Sequence, residues 1–479
     1  MQVIIIGLGK EGWSSFSFCL EFLPQETTFV LVDDKKQTEL GQQWQSPAVN
    51  QLINANRASF FTTEQFLVQT GVMRDQDTVA VVSPGLAPSH ELLQWLDRSA
   101  TYQTSNTQLF FDIALPDRAT TSPITPFLPK LATTPTVIGV TGTKGKSTTT
   151  AAIEHLLTAA GLPTLLGGNI GTPPLDLVPA LQTSDAPEQF VALELSAHQL
   201  SRLHTSPQVA VILAITPEHL DYYQNFERYQ AAKTALCSFQ RGSDTVLFSS
   251  ENSVAETIAE LSPGKKLQFS ATNDAADATL ANDSILLRGQ PLVTFDQLKV
   301  IGRHTIANLL PSVLISELLE IPTEKIIAGL ASFVGLPHRL QFVTEQDGVR
   351  YYNDSLATTP EAAVAALRAF DQQPVILIAG GFDRGLNYAS LAQAIIQSSV
   401  KAVLLLPTTG EKIAHELSRN YSDELLIDQV PTLTIAVERA KQLAQPGDIV
   451  LLSPASASFN QFKDYADRGN QFAEAIGQS

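Results

Sequence analysis

A lysine and a serine follow a glycine-rich turn near the middle of the chain, where they could bind phosphate. The preceding residues 136–140 are mostly β-branched, and Gly145, Lys146 and Ser147 come shortly after them. This order predicts a strand, a loop and a helix, and the first backbone N–H groups of such a helix bind anions. Lys146 could reach a terminal phosphate, and the Ser147 hydroxyl is placed as a Mg²⁺ ligand. The stretch therefore predicts a site for a nucleoside triphosphate.

The loop departs from the usual pattern G-x-x-x-x-G-K-[ST] at one position. The first glycine of the pattern would fall on Val140, whereas the chain has glycines at 139, 142 and 145. A glycine-rich turn between a strand and a helix can also serve packing alone, but the Gly-Lys-Ser ending favours nucleotide binding. The predicted phosphate-binding residues are Thr141, Gly142, Thr143, Lys144, Gly145, Lys146, Ser147 and Thr148.

Acidic and imidazole side chains follow two further apolar runs. Glu194 lies near the end of the predicted strand 190–195, where a carboxylate close to a phosphate loop is a candidate Mg²⁺ ligand. His219 comes after the predicted strand 209–215, and it either starts a helix or provides a second metal ligand. Lys233 lies in a helical stretch and, from the residues alone, is a solvated helix lysine.

Two further polar stretches carry side chains that could contact a ligand. Asn169 lies among glycines, so its amide is either held close to a ligand or simply accepts the left-handed backbone of a turn. Residues 301–319 predict one helix, with His304 and Asn308 four residues apart on the same face. The residues alone leave both options open for Asn169.

The first hundred residues alternate apolar runs with helical stretches, a pattern typical of a parallel sheet. Residues 3–6 predict a buried strand before G-x-G-x-x-G at 7–12, and the acidic pair Asp33-Asp34 ends the second run. This fits a dinucleotide fold, whose ligand binds beyond the carboxyl edge of the sheet. A different nucleotide is preferred because a phosphate loop follows downstream, and glycines that serve only packing are the alternative.

The last third repeats the α/β pattern, with apolar runs at 349–353, 375–378, 402–406 and 449–452. Thr358, Arg384 and Ser458 follow three of these runs, at the edge of a sheet where ligands bind. An arginine there can bind a carboxylate through two parallel hydrogen bonds, or it can form a simple surface ion pair.

Composition and charge limit the class of protein. The 479 residues are 44% hydrophobic and 16% charged, which predicts about two to four globular domains rather than disorder. The net charge of −17, from 48 acidic and 31 basic residues, argues against nucleic acid or an anionic membrane as a partner. Two cysteines, no leader-like N-terminus and no long apolar run predict a cytoplasmic protein that does not span a membrane.

Taken in order along the whole chain, several short motifs resemble those of the Mur ligase family. They are residues 141–147, 194–196, 219–221, 233, 308, 338–339, 353–355 and 452–458. An ordered set of this kind is far more specific than any one motif. The glycine-rich opening, Ser-Pro-Gly at 83–85 and the stretch after Ser453 resemble the branch that joins glutamate to UDP-N-acetylmuramoyl-L-alanine.

The resemblance implies an α/β fold of three domains. These are a Rossmann-like domain for the UDP end of the substrate at 1–103, a central P-loop ATPase domain with a mostly parallel sheet at 104–334, and a Rossmann-like glutamate-binding domain at 335–479. ATP and Mg²⁺ are the implied cofactors, and the implied reaction proceeds through an acyl phosphate. The implied partners are UDP-N-acetylmuramoyl-L-alanine and glutamate, without nucleic acid or membrane, and the expected state is a monomer.

The resemblance also implies roles for single residues. Lys146, His219 and Lys233 would be catalytic. Ser147 and Glu194 would hold one Mg²⁺. His219 and an N-carbamylated Lys233 would hold a second, since a carbamate offers the oxygen ligands that a hard metal prefers. ATP would bind the loop at 141–148, with nucleoside contacts from Asn308, Arg339 and Asp354. Substrate contacts are implied for Lys10, Glu11, Asp34, Lys35, Gly85, Asn169, Thr358, Arg384, Ser458, Phe459 and Tyr465.

The chain departs from this branch at three positions. Leu356 stands where the usual motif Asp-Ser-Lys-Ala-Thr has lysine, Arg384 replaces another lysine, and Thr305 replaces an asparagine. Arginine and lysine are not interchangeable at a site that binds a carboxylate through two hydrogen bonds. The departures leave the hand of the amino acid open: D-glutamate is favoured, and L-glutamate is the alternative.

Other classes of protein share parts of this pattern. An NAD-dependent oxidoreductase would explain residues 1–34 but leave the phosphate loop, Glu194 and His219 without a role. A non-catalytic nucleotide-binding regulator would keep the loop without needing Glu194, His219 and Lys233 together. A folate-type glutamate ligase would share the later domains but not the glycine-rich first one. An ATP-dependent amide-forming ligase is therefore the favoured function.

Overall fold

The computed structural model describes residues 1–69, 78–99, 101–370, 373–419, 425–459 and 461–477. The chain divides into two compact units. The first contains Met1–Ala281, Leu286–Gln290 and Leu310–Ile326, and the second contains Asn282–Ile285, Pro291–Leu309 and Ile327–Ser479. Strands and helices alternate in both units, which confirms the predicted α/β class. The boundaries expected at residues 103 and 334 stay predictions.

The first unit begins with a parallel sheet that has helices on both faces. Its strands are Gln2–Ile6 (β1), Thr28–Asp33 (β2), Ala58–Thr62 (β3), Thr78–Val82 (β4) and Tyr102–Thr104 (β5). Its helices are Lys10–Phe22 (α1), Pro47–Asn54 (α2), Thr63–Gln69 (α3), Glu91–Ser99 (α4) and Asn106–Ala114 (α5). The strand order is β3-β2-β1-β4-β5. Alternate residues of β1 join two apolar clusters, one containing Phe16 and the other Leu92, which explains its continuous apolar run.

A second parallel sheet in the same unit positions the phosphate loop. Its strands include Thr136–Thr141 (β6), Thr164–Gly168 (β7), Phe190–Glu194 (β8), Val209–Ile212 (β9), Thr245–Ser249 (β10), Lys265–Ser270 (β11) and Ala278–Ala281 (β12). Its helices include Lys146–Ala159 (α6), Val178–Thr183 (α7), Ala197–Leu200 (α8), Leu220–Tyr223 (α9), Phe226–Lys233 (α10), Ala235–Ser238 (α11) and Ser253–Ala259 (α12). These strands lie in the order β12-β11-β10-β9-β6-β8-β7. Because β6 lies between β8 and β9, the loops that follow these three strands meet at one edge.

The chain after β12 adds two more strands and then breaks a helix that the sequence had predicted as continuous. Its elements are Ser284–Leu287 (β13), Gln290–Thr294 (β14), Arg303–Ala307 (α13), Leu310–Leu318 (α14) and Thr323–Ser332 (α15). The single helix expected over 301–319 is wrong, because Asn308 lies at the end of α13. Pro311 lacks the N–H that an unbroken helix would donate to the carbonyl of Ala307. Asn308 therefore lies at a helix end rather than on a helix face shared with His304.

The second unit contains a mixed sheet with an apolar core on each face. Its strands are Gln341–Gln346 (β15), Val349–Asn353 (β16), Val375–Gly381 (β17), Val400–Thr408 (β18), Leu426–Gln429 (β19) and Ile449–Leu452 (β20). Its helices include Pro360–Arg368 (α16), Ala389–Gln397 (α17), Thr409–Ser418 (α18), Leu433–Leu443 (α19) and Tyr465–Ile476 (α20). The order is β15-β16-β20-β17-β18-β19, and only β15 runs antiparallel among these described strands. Apolar side chains of β17 alternate between the two cores.

Several helices begin at capping residues that the sequence provides. The side chains of Ser105, Asn225 and Thr359 each accept a hydrogen bond from a backbone N–H in the first turn of α5, α10 and α16. Such caps satisfy N–H groups that have no partner inside the helix. In the ranges described here, no helix combines the length and apolar character needed to cross a membrane.

A buried ion pair in the first unit predicts a large stability effect. Arg118 donates two hydrogen bonds to Asp244, at 2.6 and 2.7 Å, and the two side chains are only 10% and 2% exposed. Asp244→Asn would leave the buried guanidinium without its counter-charge, so we expect the free energy of unfolding to fall by about 3 kcal/mol. Urea unfolding followed by tryptophan fluorescence would measure it.

The neighbouring surface pair provides a matched control. Asp117 pairs with Arg241, and those side chains are 61% and 48% exposed. Asp117→Asn should cost less than about 1 kcal/mol, because water solvates both groups. Equal losses for the two variants would contradict the assignment of the Arg118 pair as a buried structural element.

Candidate active site

The phosphate loop begins where β6 ends, and hydrogen bonds tie it to the neighbouring strand ends. Thr141 donates from its hydroxyl to the carbonyl of Leu195, 2.8 Å away, and Thr143 donates to the carbonyl of Thr216, 3.0 Å away. A Cβ on Gly142 would lie 2.6 Å from the Cβ of Leu213, so only glycine fits there. The loop is therefore held at the carboxyl edge of the sheet by contacts on both sides.

Two lysines share one backbone oxygen of this loop. Lys146 Nζ donates to the Gly142 carbonyl at 3.0 Å and to the Thr143 carbonyl at 2.9 Å. Lys233 Nζ donates to the same Gly142 oxygen at 3.0 Å and to the Thr141 hydroxyl at 3.2 Å. Burial and the nearby charge of Lys146 lower the pKa of Lys233 to about 7. A substantial fraction of this amine is therefore neutral at neutral pH.

Lys233 is a buried residue, not the solvated helix lysine that its residue type alone suggested. Its side chain is 1% exposed, and its ammonium lies 4.8 Å from the centre of the Tyr229 ring. The Tyr229 hydroxyl lies 3.3 Å from the Thr143 hydroxyl. No role was predicted for Tyr229 from the sequence, although its position four residues before Lys233 on α10 puts both side chains on one helix face.

Glu194 and Asn169 meet at the same sheet edge. The Asn169 side-chain amide donates to Glu194 Oε1 at 2.7 Å, and its backbone N–H donates to the Glu194 carbonyl at 2.8 Å. Gly168 has φ 99°, and a Cβ there would lie 2.2 Å from the same carbonyl. Glu194 Oε2 is buried without a hydrogen-bond partner among the described residues. An unpartnered carboxylate oxygen beside a phosphate loop fits a hard cation.

His219 and Ser147 begin two helices that adjoin the loop. His219 precedes α9 with φ 54°, and its half-exposed ring lies 5.2 Å from that of His198. Burial, together with the charges of His219 and Lys233, lowers the pKa of His198 to about 4. Ser147 and Thr148 lie in the first turn of α6, after the left-handed Gly145.

No group of three or more His, Cys, Asp or Glu side chains that could hold a metal occurs in the part of the chain that the structure describes. A metal at this edge would therefore depend on hydroxyl, carbamate or phosphate oxygens as well as on Glu194 and His219.

The N-terminal sheet carries a separate cavity of about 350 Å³, whose lining includes Lys10, Asp33 and Lys35. Lys10 Nζ also donates to the carbonyl of Gly171 in the second sheet's loops. Asp34 is exposed and accepts a 2.6 Å hydrogen bond from the Thr63 hydroxyl, so it lies beside the cavity rather than in its lining. The lining carries two lysines and two carboxylates, Asp33 and Glu39, so the cavity offers both cationic and anionic groups to a ligand.

Two further contacts link the first sheet to the second. Tyr222 donates from its hydroxyl to the carbonyl of Leu86, 2.5 Å away, with the Pro84 carbonyl at 3.2 Å, which holds the loop of the exposed Gly85. Glu11 Oε1 accepts a 2.8 Å hydrogen bond from the side chain of Gln199, while Glu11 Oε2 is buried without a described partner. Burial raises the pKa of Glu11 to about 7. Gln199 is a contact that the sequence did not identify.

Asp354 in the second unit is a buried carboxyl group. Its oxygens accept hydrogen bonds from the Ser453 hydroxyl at 2.8 Å and from the backbone N–H of Leu340 at 3.1 Å. Burial raises the pKa of Asp354 to about 7, against the lowering effect of the Arg339 charge. Arg339 is exposed and close enough to act on Asp354, whereas Asn308 ends α13 in the same unit.

The remaining predicted residues also lie in the second unit, at the ends of strands and the starts of helices. Ser458 is buried after β20, and the exposed ring of Phe459 lies 5.8 Å from the ring of Phe382. Tyr465 begins α20, and its ring lies 6.1 Å from that of His338. Thr358 precedes α16, Arg384 is exposed after β17, and Leu356 is 38% exposed.

Comparison with known proteins places this arrangement among ATP-using ligases. Residues 140–316 match the Mur ligase middle domain, and residues 338–456 match the Mur ligase, glutamate ligase domain. The UDP-N-acetylmuramoylalanine–D-glutamate ligase of Clostridium perfringens is 35% identical over 346 residues, which are 71% of this chain and 74% of that protein. The enzyme of the same name from Symbiobacterium thermophilum is 35% identical over 348 residues, 71% of this chain and 75% of that protein.

Solved structures show the same fold at low sequence identity. A UDP-N-acetylmuramoyl-L-alanyl-D-glutamate–2,6-diaminopimelate ligase superposes with TM-score 0.61 and 17% identity, covering 94% of this chain and 93% of that one. MurF from Thermotoga maritima, solved with ADP, gives TM-score 0.51 and 16% identity, covering 94% of each chain.

The fold and the site define an ATP-dependent ligase that forms amide bonds. The chain belongs to the Mur ligase family, as the ordered motifs had predicted. The two alternative classes, an oxidoreductase and a non-catalytic regulator, are set aside by this membership.

Glu11 predicts a pH-dependent stability effect. Its pKa is about 7 in the folded protein against an ordinary 4.5, so the folded state retains a proton that the unfolded state has released. As the pH rises from about 4.5 to about 7, the unfolded state releases this proton more readily than the folded state does. The free energy of unfolding therefore falls over this pH range. Glu11→Gln should leave stability unchanged below that window and raise it by about 2 kcal/mol above it.

Thermal unfolding at pH 4 and at pH 8.5 would measure the difference between this variant and the parent protein. Glu26→Gln, at an exposed position, is the matched control and should show the same small effect at both pH values. A Glu11→Gln difference that does not change with pH would contradict the buried-carboxyl interpretation.

Proposed function

We propose that this enzyme joins glutamate to UDP-N-acetylmuramoyl-L-alanine at the expense of ATP, in the synthesis of peptidoglycan precursors. The names of the two curated relatives and the match to a glutamate ligase domain support the substrates. The observation that carries the chemistry is the convergence of the Lys146 and Lys233 side chains on the Gly142 carbonyl. Lys146 places a cation at the N-terminus of α6, where it suits a transferring phosphoryl group, and the buried Lys233 beside it provides an amine.

The proposed reaction has two steps. A carboxylate oxygen of the muramoyl-alanine attacks the γ-phosphorus of ATP, and ADP leaves to give an acyl phosphate. The glutamate nitrogen then attacks the acyl carbon, loses a proton, and the tetrahedral intermediate collapses to the amide with departure of phosphate. Lys146 and the N–H groups of the loop would neutralise charge on the phosphoryl oxygens.

Lys233 is proposed to work as a carbamate. A neutral amine adds CO₂ to form an N–C bond and releases one proton, and the pKa near 7 makes neutral amine available. The product replaces a cation by an anionic oxygen ligand. The conversion would also remove the repulsion between Lys233 and Lys146.

The residues at the sheet edge fit Mg²⁺. Glu194 offers a buried oxygen without a described partner, and Ser147 offers a hydroxyl in the first turn of α6. These two side chains would hold one ion, and His219 with carbamylated Lys233 would hold a second. When bound, Mg²⁺ supplies positive charge next to the transferring phosphoryl group.

The other predicted residues complete the proposed sites. The loop at 141–148, with Asn308, Arg339 and Asp354, would bind ATP. The UDP and muramoyl parts would contact Lys10, Glu11, Asp34, Lys35, Gly85 and Asn169. The incoming glutamate would contact Thr358, Arg384, Ser458, Phe459 and Tyr465. We propose the domains 1–103, 104–334 and 335–479 for these three tasks, in a monomer that acts in the cytoplasm, where ATP and the sugar nucleotide occur.

The hand of the glutamate is the open part of the proposal. D-Glutamate is favoured by the names of the curated relatives. L-Glutamate is the second candidate, because Leu356 puts an exposed apolar side chain where a lysine is usual. The loss of one positive charge next to the reacting groups changes how a carboxylate can be held.

ADP release would test the proposed substrates and the chirality of the glutamate. We expect ADP only when UDP-N-acetylmuramoyl-L-alanine, Mg²⁺ and glutamate are all present, with D-glutamate preferred over L-glutamate by about 100-fold in kcat/KM. A preference for L-glutamate would select the second candidate. Absence of ADP release with both enantiomers would refute the proposed substrates.

The carbamate would be tested by labelling and substitution. The protein equilibrated with ¹³C-bicarbonate should show one carbamate carbon signal that disappears in Lys233→Arg. The same variant should lose about 100-fold or more in kcat, because arginine cannot provide an anionic oxygen ligand. Lys265→Arg, at an exposed lysine of β11, is the control and should change neither readout. Retained activity in Lys233→Arg would contradict the carbamate.

A further inference from the structure

Arg468 on α20 is a fully buried arginine that lies in the C-terminal stretch cited for the family resemblance but for which no role was predicted from the sequence. It is 0% exposed, and its guanidinium donates three hydrogen bonds. Two go to Ser355, to the hydroxyl at 2.9 Å and the carbonyl at 2.8 Å, and one goes to the carbonyl of Ser456 at 3.0 Å. All three acceptors are uncharged, and among the described residues no carboxylate forms an ion pair with it.

A buried cation of this kind is costly unless something offsets its charge. Burial lowers the pKa of Arg468 to about 10, so the group still carries its proton at neutral pH. Neutral oxygen acceptors satisfy its hydrogen bonds but leave a net positive charge inside the second unit. The fold therefore retains an uncompensated charge that a more apolar side chain would avoid.

The contacts of Arg468 lie just before the residues of the proposed glutamate site. Ser355 precedes Thr358 by three residues, and Ser456 precedes Ser458 by two. The guanidinium also packs against the turn that leads to Arg384, since a Cβ on Gly381 would lie 3.2 Å from Nη1 of Arg468. One side chain thus fixes the backbone at the base of three separate loops.

The same cluster contacts the starts of three helices, α17, α18 and α20. The Ser355 hydroxyl donates to the carbonyl of Tyr465 at 2.7 Å. The Ser456 hydroxyl lies 2.7 Å from that of Thr409 and 3.0 Å from that of Tyr388. Asp354 directly precedes Ser355, but its carboxylate is held by Ser453 and Leu340 rather than by Arg468.

We propose that Arg468 is a positioning residue for the incoming amino acid, and that its uncompensated charge makes the site selective for an acidic one. It fixes the loops that carry Thr358, Arg384 and Ser458, and it attracts the substrate carboxylates through a poorly solvated part of the protein. The inference rests on the proposed function. Charges act over longer distances where water is excluded, so the carboxylate need not touch the guanidinium.

The test uses the full chain and two variants that separate charge from shape. Arg468→Gln removes the charge but keeps hydrogen-bond donors. Arg468→Lys keeps the charge but loses the planar guanidinium group and its several N–H donors. Arg439→Gln, at a 39% exposed arginine paired with Asp428, is the control. ADP release would be measured against the concentrations of glutamate, glutamine and ATP, and thermal unfolding would report whether each variant is folded.

For Arg468→Gln we expect the KM for glutamate to rise by about 30-fold, while the KM for ATP changes by less than about twofold. The preference for glutamate over glutamine in kcat/KM should fall by about tenfold, a change that a purely structural role would not produce. Arg468→Lys should retain that preference within about threefold, because the charge remains. The control should match the parent enzyme in all three quantities.

Several results would overturn the inference. One is an Arg468→Gln variant in which the KM values for ATP and glutamate rise equally, or in which only the folded fraction falls. Another, decisive even if Arg468→Gln does not fold, is loss of glutamate preference in a folded Arg468→Lys. The third is a parent enzyme that turns over with neither enantiomer of glutamate, which refutes the proposed function at the same time. Normal turnover of the parent with unchanged variant selectivity would refute only the role of Arg468.

Discussion

The carbonyl oxygen of Gly142 accepts hydrogen bonds from two lysines, and much of the site in the first unit depends on that arrangement. Parallel strands bring the loop after β6 and the helix α10 to one sheet edge, where the ammonium groups of Lys146 and Lys233 converge. While both lysines are protonated, their charges repel each other and the charge on Lys233 is buried away from water. The geometry therefore biases Lys233 towards its neutral, reactive form.

Other polar groups in the molecule are also left partly unsatisfied. Glu194 and Glu11 each bury one carboxylate oxygen without a described partner, and Arg468 buries a charge with no counter-ion among the described residues. Such groups weaken the fold, because each has lost water without gaining a full set of partners. A phosphate, a metal or an amino-acid carboxylate can supply the missing partner. The same groups that lower the stability of the fold therefore strengthen ligand binding. The charged groups that define the proposed sites are thus the same groups that lower the stability of the fold.

The two units divide the chemistry between them. The first holds the phosphate loop and the cavity with Lys10 and Lys35, and the second holds Asp354 and the loops around Arg468. Family membership follows from the ordered motifs and the fold, both of which depend on many residues. In the proposed function, the choice between D- and L-glutamate would depend on a few side chains near Leu356 and Arg384, so family membership does not decide it.

The sequence by itself determined the α/β class, the phosphate loop and the family, because apolar periodicity and short ordered motifs are local properties of the chain. It also placed Glu194 at a strand end, where β8 stops. It could not show that Lys233 is buried against Gly142, that Asn169 meets Glu194, or that a helix ends at Asn308. Those facts depend on which strands become neighbours and which side chains lose water.

Arg468 shows the limit most clearly. In the sequence it lies in the C-terminal stretch that resembles the family, but its residue type and its acidic neighbours do not show whether it is buried or a solvated surface charge. Only the packing of α20 against the ends of β16, β17 and β20 buries it beneath three loops. Burial converts an ordinary charge into one that acts on its surroundings, because the surrounding water that would screen it is gone.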